Sequence, residues 1–293
     1  MMMMMMSVFR NDRAILAESP VWDASNETLF WCDITPGLIH RSPLNAPKDG
    51  SRDLICRMEA PVASFQPASG GGFVVALEER IVIVDGLFNV RSDVAWVDHA
   101  HPGMRLNEGK CDPFGRFVVG SMDVTRGEPD GALYRFSIDG TSEVLLGGIA
   151  VANGFEWSDD GSVFYFTDTS ASTVYRCRYG PGDRIGEPEP ILTGAPSDGL
   201  ARDSSGGFWS GCYGEGRVIR RDESGRLLTE ISIPAPNVTG LAFGGPDLST
   251  LFVCTAREKL DESTLERYPQ SGGVFAIETS VRGQPPHAFG NSR

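Results

Sequence analysis

The stretch VANGFEWSDDGSVFYFTD, Val151 to Asp168, decides how the chain is read. Asn153-Gly154 stands directly before Phe155-Glu156-Trp157, where a buried strand begins. The Asp159-Asp160-Gly161 turn and the apolar run Val163-Phe164-Tyr165-Phe166 that follow are an ordinary strand–turn–strand pattern. An amide at the mouth of a core strand is not, because a buried polar group needs a partner.

The same layout recurs along the chain. Asp198-Gly199-Leu200 leads into DSSGG and Phe208-Trp209, Asn107-Glu108-Gly109 into DPFGR and Phe117-Val118-Val119, and Glu18-Ser19-Pro20 into DASNE and Phe30-Trp31. Two looser copies begin at Ala63 and Thr239. The leading positions 18, 63, 107, 153, 198 and 239 are separated by 45, 44, 46, 45 and 41 residues. Each unit holds two strands about a polar turn, and most add a third such as Thr173-Val174-Tyr175-Arg176-Cys177. About four strands in about 45 residues is the size of a propeller blade. The expected fold is therefore all-β, a six-bladed β-propeller forming a single domain over 7–293. The last unit runs out after three strands, so the segment from Val8 to Leu16 is expected to close the ring as its outer strand. The Met run 1–6 is excluded from the fold and expected to be disordered. One helix is expected at 261–268, with Ser263 and Glu266 spaced as a capping box.

Composition narrows the function. The 293 residues carry a net charge of −13, which argues against nucleic acid, a partner that needs a basic surface. No apolar run reaches the roughly 18 residues of a membrane span. No signal peptide is read at the start, so the expected location is cytoplasmic. The six cysteines, Cys32, Cys56, Cys111, Cys177, Cys212 and Cys254, lack CxxC spacing and are expected to be reduced and unbridged.

In a propeller the first residues of equivalent strands surround the channel. Those positions are Glu18, Ala63, Asn107, Asn153, Asp198 and Thr239, and five of the six offer a side-chain oxygen. Apolar packing does not predict such a set, whereas a cation does: carboxylates supply charge and amides neutral oxygens. A single Asn-Gly or Asp-Gly reads as turn chemistry, but repetition at one phase reads as one divalent metal ion. Oxygen donors favour Ca²⁺, Mg²⁺ or Mn²⁺, with Zn²⁺ and Fe²⁺ open. Arg105, two residues before Asn107, is expected over the channel mouth.

The stretches LAESPVWD, RLNEGKCDPFGRFVVGSMD, VANGFEWSDDGSVFYFTDT, SDGLARDSSGGFW and APNVTGLAFGGPDLSTLFVCTAR followed by YPQSGGVFAI occur in the order of a known family. Over essentially its full length the chain resembles the regucalcin/gluconolactonase family of sugar lactonases, the senescence-marker-protein-like propellers, in its bacterial aldonolactonase type. The resemblance implies one divalent metal held by Glu18, Asn153 and Asp198, with Arg105 and Asn107 contacting substrate. Glu108 stands where the family's motif has Asp, and Asp123-Val124-Thr125 replaces the glutamate-rich stretch of animal members. Both departures border the substrate site, so Glu108 joins the substrate-binding set, and both bear on which sugar is accepted.

These residues suit hydrolysis of a sugar-derived lactone to its aldonic acid, the resemblance implies a pentono- or hexono-lactone, and a monomer or small homo-oligomer is expected. Asp198 is the expected proton acceptor and Glu18 the other carboxylate able to serve. Asp123 and Tyr213 are loop groups able to read sugar hydroxyls. The alternatives are hydrolysis of another ester such as an organophosphate, or a non-catalytic metal-binding scaffold. His99 and His101 lie off the ring phase and read as solvent-facing loop histidines. Asp33 and Asp168, at the ends of second strands, read as hydrogen-bond acceptors that fix the blades. Trp22, Trp157 and Trp209 read as inter-blade core. No GxSxG elbow, P-loop or Rossmann glycine pattern is present.

Overall fold

The computed structural model describes residues 5–182 and 184–291. Its strands form six four-stranded antiparallel sheets, the six blades of a β-propeller. Blades 1 to 5 take their four strands consecutively, from 17–57, 64–96, 104–149, 152–193 and 197–232. Blade 6 pairs Asn237–Gly244, Thr250–Ala256 and Val274–Glu278, and its outer strand is Met6–Arg10 from the start of the chain. The strand begins two residues before Val8: Met6 pairs with Ile277, and Glu278 donates its backbone N–H to Met5 O at 2.9 Å. The end of the Met run is thus ordered by a free sheet edge, which pairs extended backbone whatever its side chains. The expectation for Met1 to Met4 lies outside the described residues.

The strands fall into two compact units. One takes the described residues of 1–56 and 198–285, holding blades 5, 6 and 1; the other takes 57–197 and 286–293, holding blades 2, 3 and 4. In the first unit Trp209 meets Phe243 edge-on at 5.9 Å, and Trp22 stacks on Phe252 at 5.7 Å. Each ring joins two neighbouring blades, as expected. In the second, Trp157 stacks on Phe164 of its own blade at 5.1 Å and shares a core with Val118 and Leu133 of blade 3. Burying rings of this size contributes about 1.5–3 kcal/mol each. The tail stitches two blades of the second unit: Ser69 N–H donates to Phe289 O at 2.8 Å, and Gly290 N–H to Gly115 O at 2.8 Å.

Asp33 accepts from the N–H groups of Ile15 (3.0 Å) and Leu16 (2.9 Å), and Asp168 from those of Ala150 (3.2 Å) and Val151 (3.4 Å). Both are the blade-fixing acceptors that their place in the repeat suggested. All six cysteines are thiols, and no disulfide occurs among the described residues. The one helix among the described residues spans Glu262–Arg267. Its N-cap is Asp261 rather than a box begun by Ser263, because only Asp261 lies three residues before an amide needing an acceptor, Thr264 N, at 2.8 Å. Among the described residues no helix is long and apolar enough to cross a membrane.

Candidate metal and substrate site

The residues at the repeat's leading phase share a local device. In four first strands the ladder slips at this point: between Glu18 and Val21, Leu106 and Gly109, Asn153 and Glu156, and Val238 and Leu241. A β-bulge bends a strand and re-aims its side chains. After Glu18 and after Asn153 the backbone turns left-handed, with φ +52° at Ser19 and +51° at Gly154. The glycine of the Asn-Gly pair therefore supplies the φ the bulge needs.

In the unit of blades 2 to 4, the amides form one directed chain. Ser197 O, which can only accept, takes the Thr169 hydroxyl proton at 2.8 Å. Thr169 Oγ1 then accepts from Asn153 Nδ2 at 2.9 Å. Asn153 Oδ1 accepts from Asn107 Nδ2 at 2.7 Å, and Asn107 Oδ1 accepts from Arg105 Nη1 at 2.6 Å. The guanidinium at the far end can only donate. Both ends thus set the polarity, and neither amide is ambiguous as to which atom is oxygen. Asn107 Nδ2 also donates to Ala152 O at 3.1 Å, and Arg105 Nη1 to Leu106 O at 2.9 Å. Asn107 and Asn153 are buried.

Glu108 is buried, and its Oε2 accepts from Gly154 N–H at 2.8 Å, bracing the bulge beside Asn153. Burial raises its pKa, against the charge of Lys110 and the bond from Gly154. His99 is half-buried rather than solvent-facing, with Nε2 3.0 Å from Glu78 O. His101 is not solvent-facing: its side chain is 12% exposed and packs against Asp123 and Asp130. The off-phase position that marked it as a loop histidine says nothing about neighbours as distant in sequence as Asp123 and Asp130.

In the unit of blades 5, 6 and 1, Glu18 and Asp198 are both buried. Glu18 Oε2 accepts from Ser19 N–H at 3.1 Å, and a β-carbon on Gly240 would stand 2.6 Å from that oxygen. Thr239 is committed elsewhere: its hydroxyl donates to Ala17 O at 2.5 Å. Tyr213 Oη donates to Glu258 Oε1 at 2.9 Å and accepts from Asn237 Nδ2 at 3.3 Å, while Asn237 also reaches Glu258 O at 2.8 Å. Burial first, then the charges of Glu258, Asp198 and Glu18, push the Tyr213 pKa well up. Burial, then Glu18, does the same to Cys254. Glu18 and Asp198 thus place negative charge near these groups, which a cation would offset. Two carboxylates here and an oriented amide oxygen in the other unit are the donor types of a hard divalent ion. The residues present therefore fit the metal that the resemblance implies.

Thr169, Asn237 and Glu258 were not singled out from the sequence. Thr169 follows Asp168 directly in the repeat, and that phase was its only signal.

A six-bladed propeller with acid and amide side chains at one phase of its repeat defines a class, and comparison with known proteins defines the family. Residues 16–257 match the family described as SMP-30/Gluconolactonase/LRE-like region, to which this chain belongs. It is 34% identical over 278 residues to a 6-deoxy-6-sulfogluconolactonase of Pseudomonas putida, covering 92% of this chain and 93% of that one. It is 31% identical over 291 residues to a regucalcin of Gallus gallus, covering 95% and 96%. The crystal structure of a calcium-binding regucalcin from Agrobacterium tumefaciens superposes with a TM-score of 0.89 at 26% identity, covering 96% of each chain.

Proposed function

We infer that this chain is a metal-dependent sugar lactonase that opens a pentono- or hexono-lactone to its aldonic acid. The observation that carries the reading is the directed chain from Ser197 to Arg105, which presents Asn153 as an oxygen donor. Its support from relatives is the family match and the sulfogluconolactonase of Pseudomonas putida. In this reading Glu18, Asn153 and Asp198 hold one divalent ion, with Ca²⁺, Mg²⁺, Mn²⁺, Zn²⁺ and Fe²⁺ all compatible with the donors. When bound, the ion supplies Lewis acidity toward a carbonyl oxygen and charge stabilisation.

The protein's own groups do the rest. An amide oxygen has two acceptor directions, so the bond from Asn107 leaves Asn153 Oδ1 able to serve a ligand as well. Arg105 donates to the lactone's carbonyl or hydroxyl oxygens; Asn107, whose two Nδ2 hydrogens go to Asn153 and Ala152, accepts from a sugar hydroxyl at Oδ1; and Glu108 keeps the bulge under them in shape. Asp198 accepts a proton from the attacking water, with Glu18 the other carboxylate able to do so. The water oxygen bonds to the acyl carbon, the acyl–oxygen ring bond breaks, and the released ring oxygen takes the proton back from the carboxyl to become a hydroxyl. An uncharged, hydroxyl-rich ester tolerates the acidic surface that would repel a polyanion. The same reading has the chain act in the cytoplasm as a monomer or small homo-oligomer.

The test is initial rates on a panel of aldonolactones, with the protein stripped of metal and then restored with each ion. The reading expects activity only after restoration. A metal-restored protein that opens no aldonolactone faster than buffer overturns it.

A further inference from the structure

Blade 3 carries a second group of ligand atoms. In blades 1 and 4 the residue opposite the one before the leading position is acidic: Asp33 pairs with Ala17 and Asp168 with Ala152. Both carboxylates are taken up by backbone N–H groups of the preceding connection. In blade 3 the corresponding pair is Leu106 with Ser121, and the ribbon runs on for two more residues until Met104 faces Asp123. The acid therefore sits two residues farther out, at the end of a lengthened hairpin.

The two oxygens of Asp123 differ. Oδ1 accepts from Thr125 N (2.8 Å), Thr125 Oγ1 (2.8 Å) and Arg126 N (3.0 Å), which fixes the carboxylate. Oδ2 belongs to a side chain with 0% exposure and has no hydrogen-bond partner. It faces His101 Nε2 at 3.6 Å, beyond hydrogen-bond reach. Asp130 Oδ2 lies 3.3 Å from the same nitrogen. His101 Nδ1 is 2.7 Å from Pro102 O, and a carbonyl can only accept. Nδ1 therefore carries a proton, which leaves Nε2 as the nitrogen that can ligate, the arrangement in which a metal-binding histidine is held. Val124 N–H donates to Gly103 O at 3.0 Å, and Gly103, at φ +92°, has no room for a β-carbon against Thr125. That contact pins the His101 turn onto the ribbon's end.

Three acceptor atoms thus converge within 4.8 Å of one another. Ligand atoms on a tetrahedral ion at metal–ligand distances near 2.1 Å stand about 3.4 Å apart. The two distances at Nε2 match that spacing. We propose that His101, Asp123 and Asp130 bind a second divalent cation, of the borderline kind that accepts imidazole with carboxylate, such as Zn²⁺ or Mn²⁺. It differs in donor type from the oxygen-only ion of the functional reading, and this separates the two experimentally.

The experiment strips the full-length protein of metal and titrates it with Mn²⁺, counting bound equivalents and recording electron spin-echo modulation from nitrogen. The unsubstituted protein should bind two equivalents and show ¹⁴N modulation. His101→Gln and Asp130→Asn should each bind one and lose the modulation. Asp130 is an exposed loop carboxylate, so its removal leaves the blade intact even if His101→Gln fails to fold. Asp198→Ala should lose the other equivalent and keep the modulation, so failure here and failure of the lactonase reading are distinct results. Equal stoichiometry in the unsubstituted protein and Asp130→Asn, or modulation that persists in both variants, overturns the proposal and leaves a His101–Asp ion pair.

Discussion

The two units treat the same phase of the repeat in opposite ways. In the unit of blades 5, 6 and 1 the leading residues include the carboxylates Glu18 and Asp198, whose charge is felt by Tyr213. In the unit of blades 2 to 4 they include the amides Asn107 and Asn153, strung between a guanidinium and a carbonyl. A carboxylate attracts a cation with either oxygen, so its orientation needs little help. An amide attracts one with only half of itself, and a flip turns a ligand into a repulsive donor. The second unit accordingly invests in hydrogen bonds that hold direction, while the first supplies charge. Substitutions in the first should change how strongly a cation is held; those in the second should change whether the oxygen points correctly.

The largest expected effect tests that division directly. Asp198→Ala removes a charge and a proposed ligand together. It should weaken metal binding by more than the roughly 10–100-fold typical of supporting residues, and activity should fall with it. Asn153→Ala removes a proposed neutral ligand and should weaken it less. Calorimetric titration of both stripped variants compares them, and equal losses would break the contrast between charge and direction. Arg105→Ala comes next. Loss of one preorganised donor should lower turnover by about 100-fold, while metal content holds because the Ser197–Thr169 end still orients Asn153. Loss of metal along with turnover would move Arg105 from substrate to metal support.

Thr169→Val should have a smaller effect and a more specific one. Valine keeps the shape but removes the acceptor for Asn153 Nδ2 and the donor to Ser197 O. Metal affinity should drop by about 10-fold, and Thr169→Ser should restore it. A variant that loses stability without losing affinity, or one that serine does not rescue, would reduce Thr169 to a structural hydroxyl.

How much of this was legible in the sequence depended on whether a feature repeats. Blade number and the outer strand from the N-terminus follow from a 41–46-residue spacing, and the oddity of Asn153 stands out against its copies. The bracing carboxylates Asp33 and Asp168 were legible for the same reason. Features made by partners at unrelated positions were not. Thr169 matters because Ser197, 28 residues on, offers a carbonyl, and His101 is covered because a hairpin two residues longer than its siblings brings Asp123 to it. Glu108 looked like a substrate group from its place beside Asn107, yet a bulge commits its carboxylate to Gly154 N–H. The capping residue of the helix was misplaced by two positions because Ser263 and Asp261 both suit a cap, and only the geometry at Thr264 chooses between them.

The smallest effect is expected at Tyr213, and it separates charge from hydrogen bonding within the first unit. Its hydroxyl donates to Glu258 and accepts from Asn237. Burial and the charges of Glu258, Asp198 and Glu18 push its pKa well up, so the phenol is expected to stay protonated at neutral pH. It therefore cannot serve as a base, and the field it senses comes from Glu18 and Asp198 rather than from itself. Tyr213→Phe should leave the pH–rate profile unmoved and change metal affinity less than Thr169→Val does. The cost should fall on stability, about 1 kcal/mol for a hydrogen bond to a carboxylate that water still partly reaches. Denaturant unfolding beside a pH–rate series measures both. A shifted alkaline limb in Tyr213→Phe would show that the phenol titrates during turnover, and the negative field assigned to this unit would then have to be offset by a cation close to Tyr213 itself.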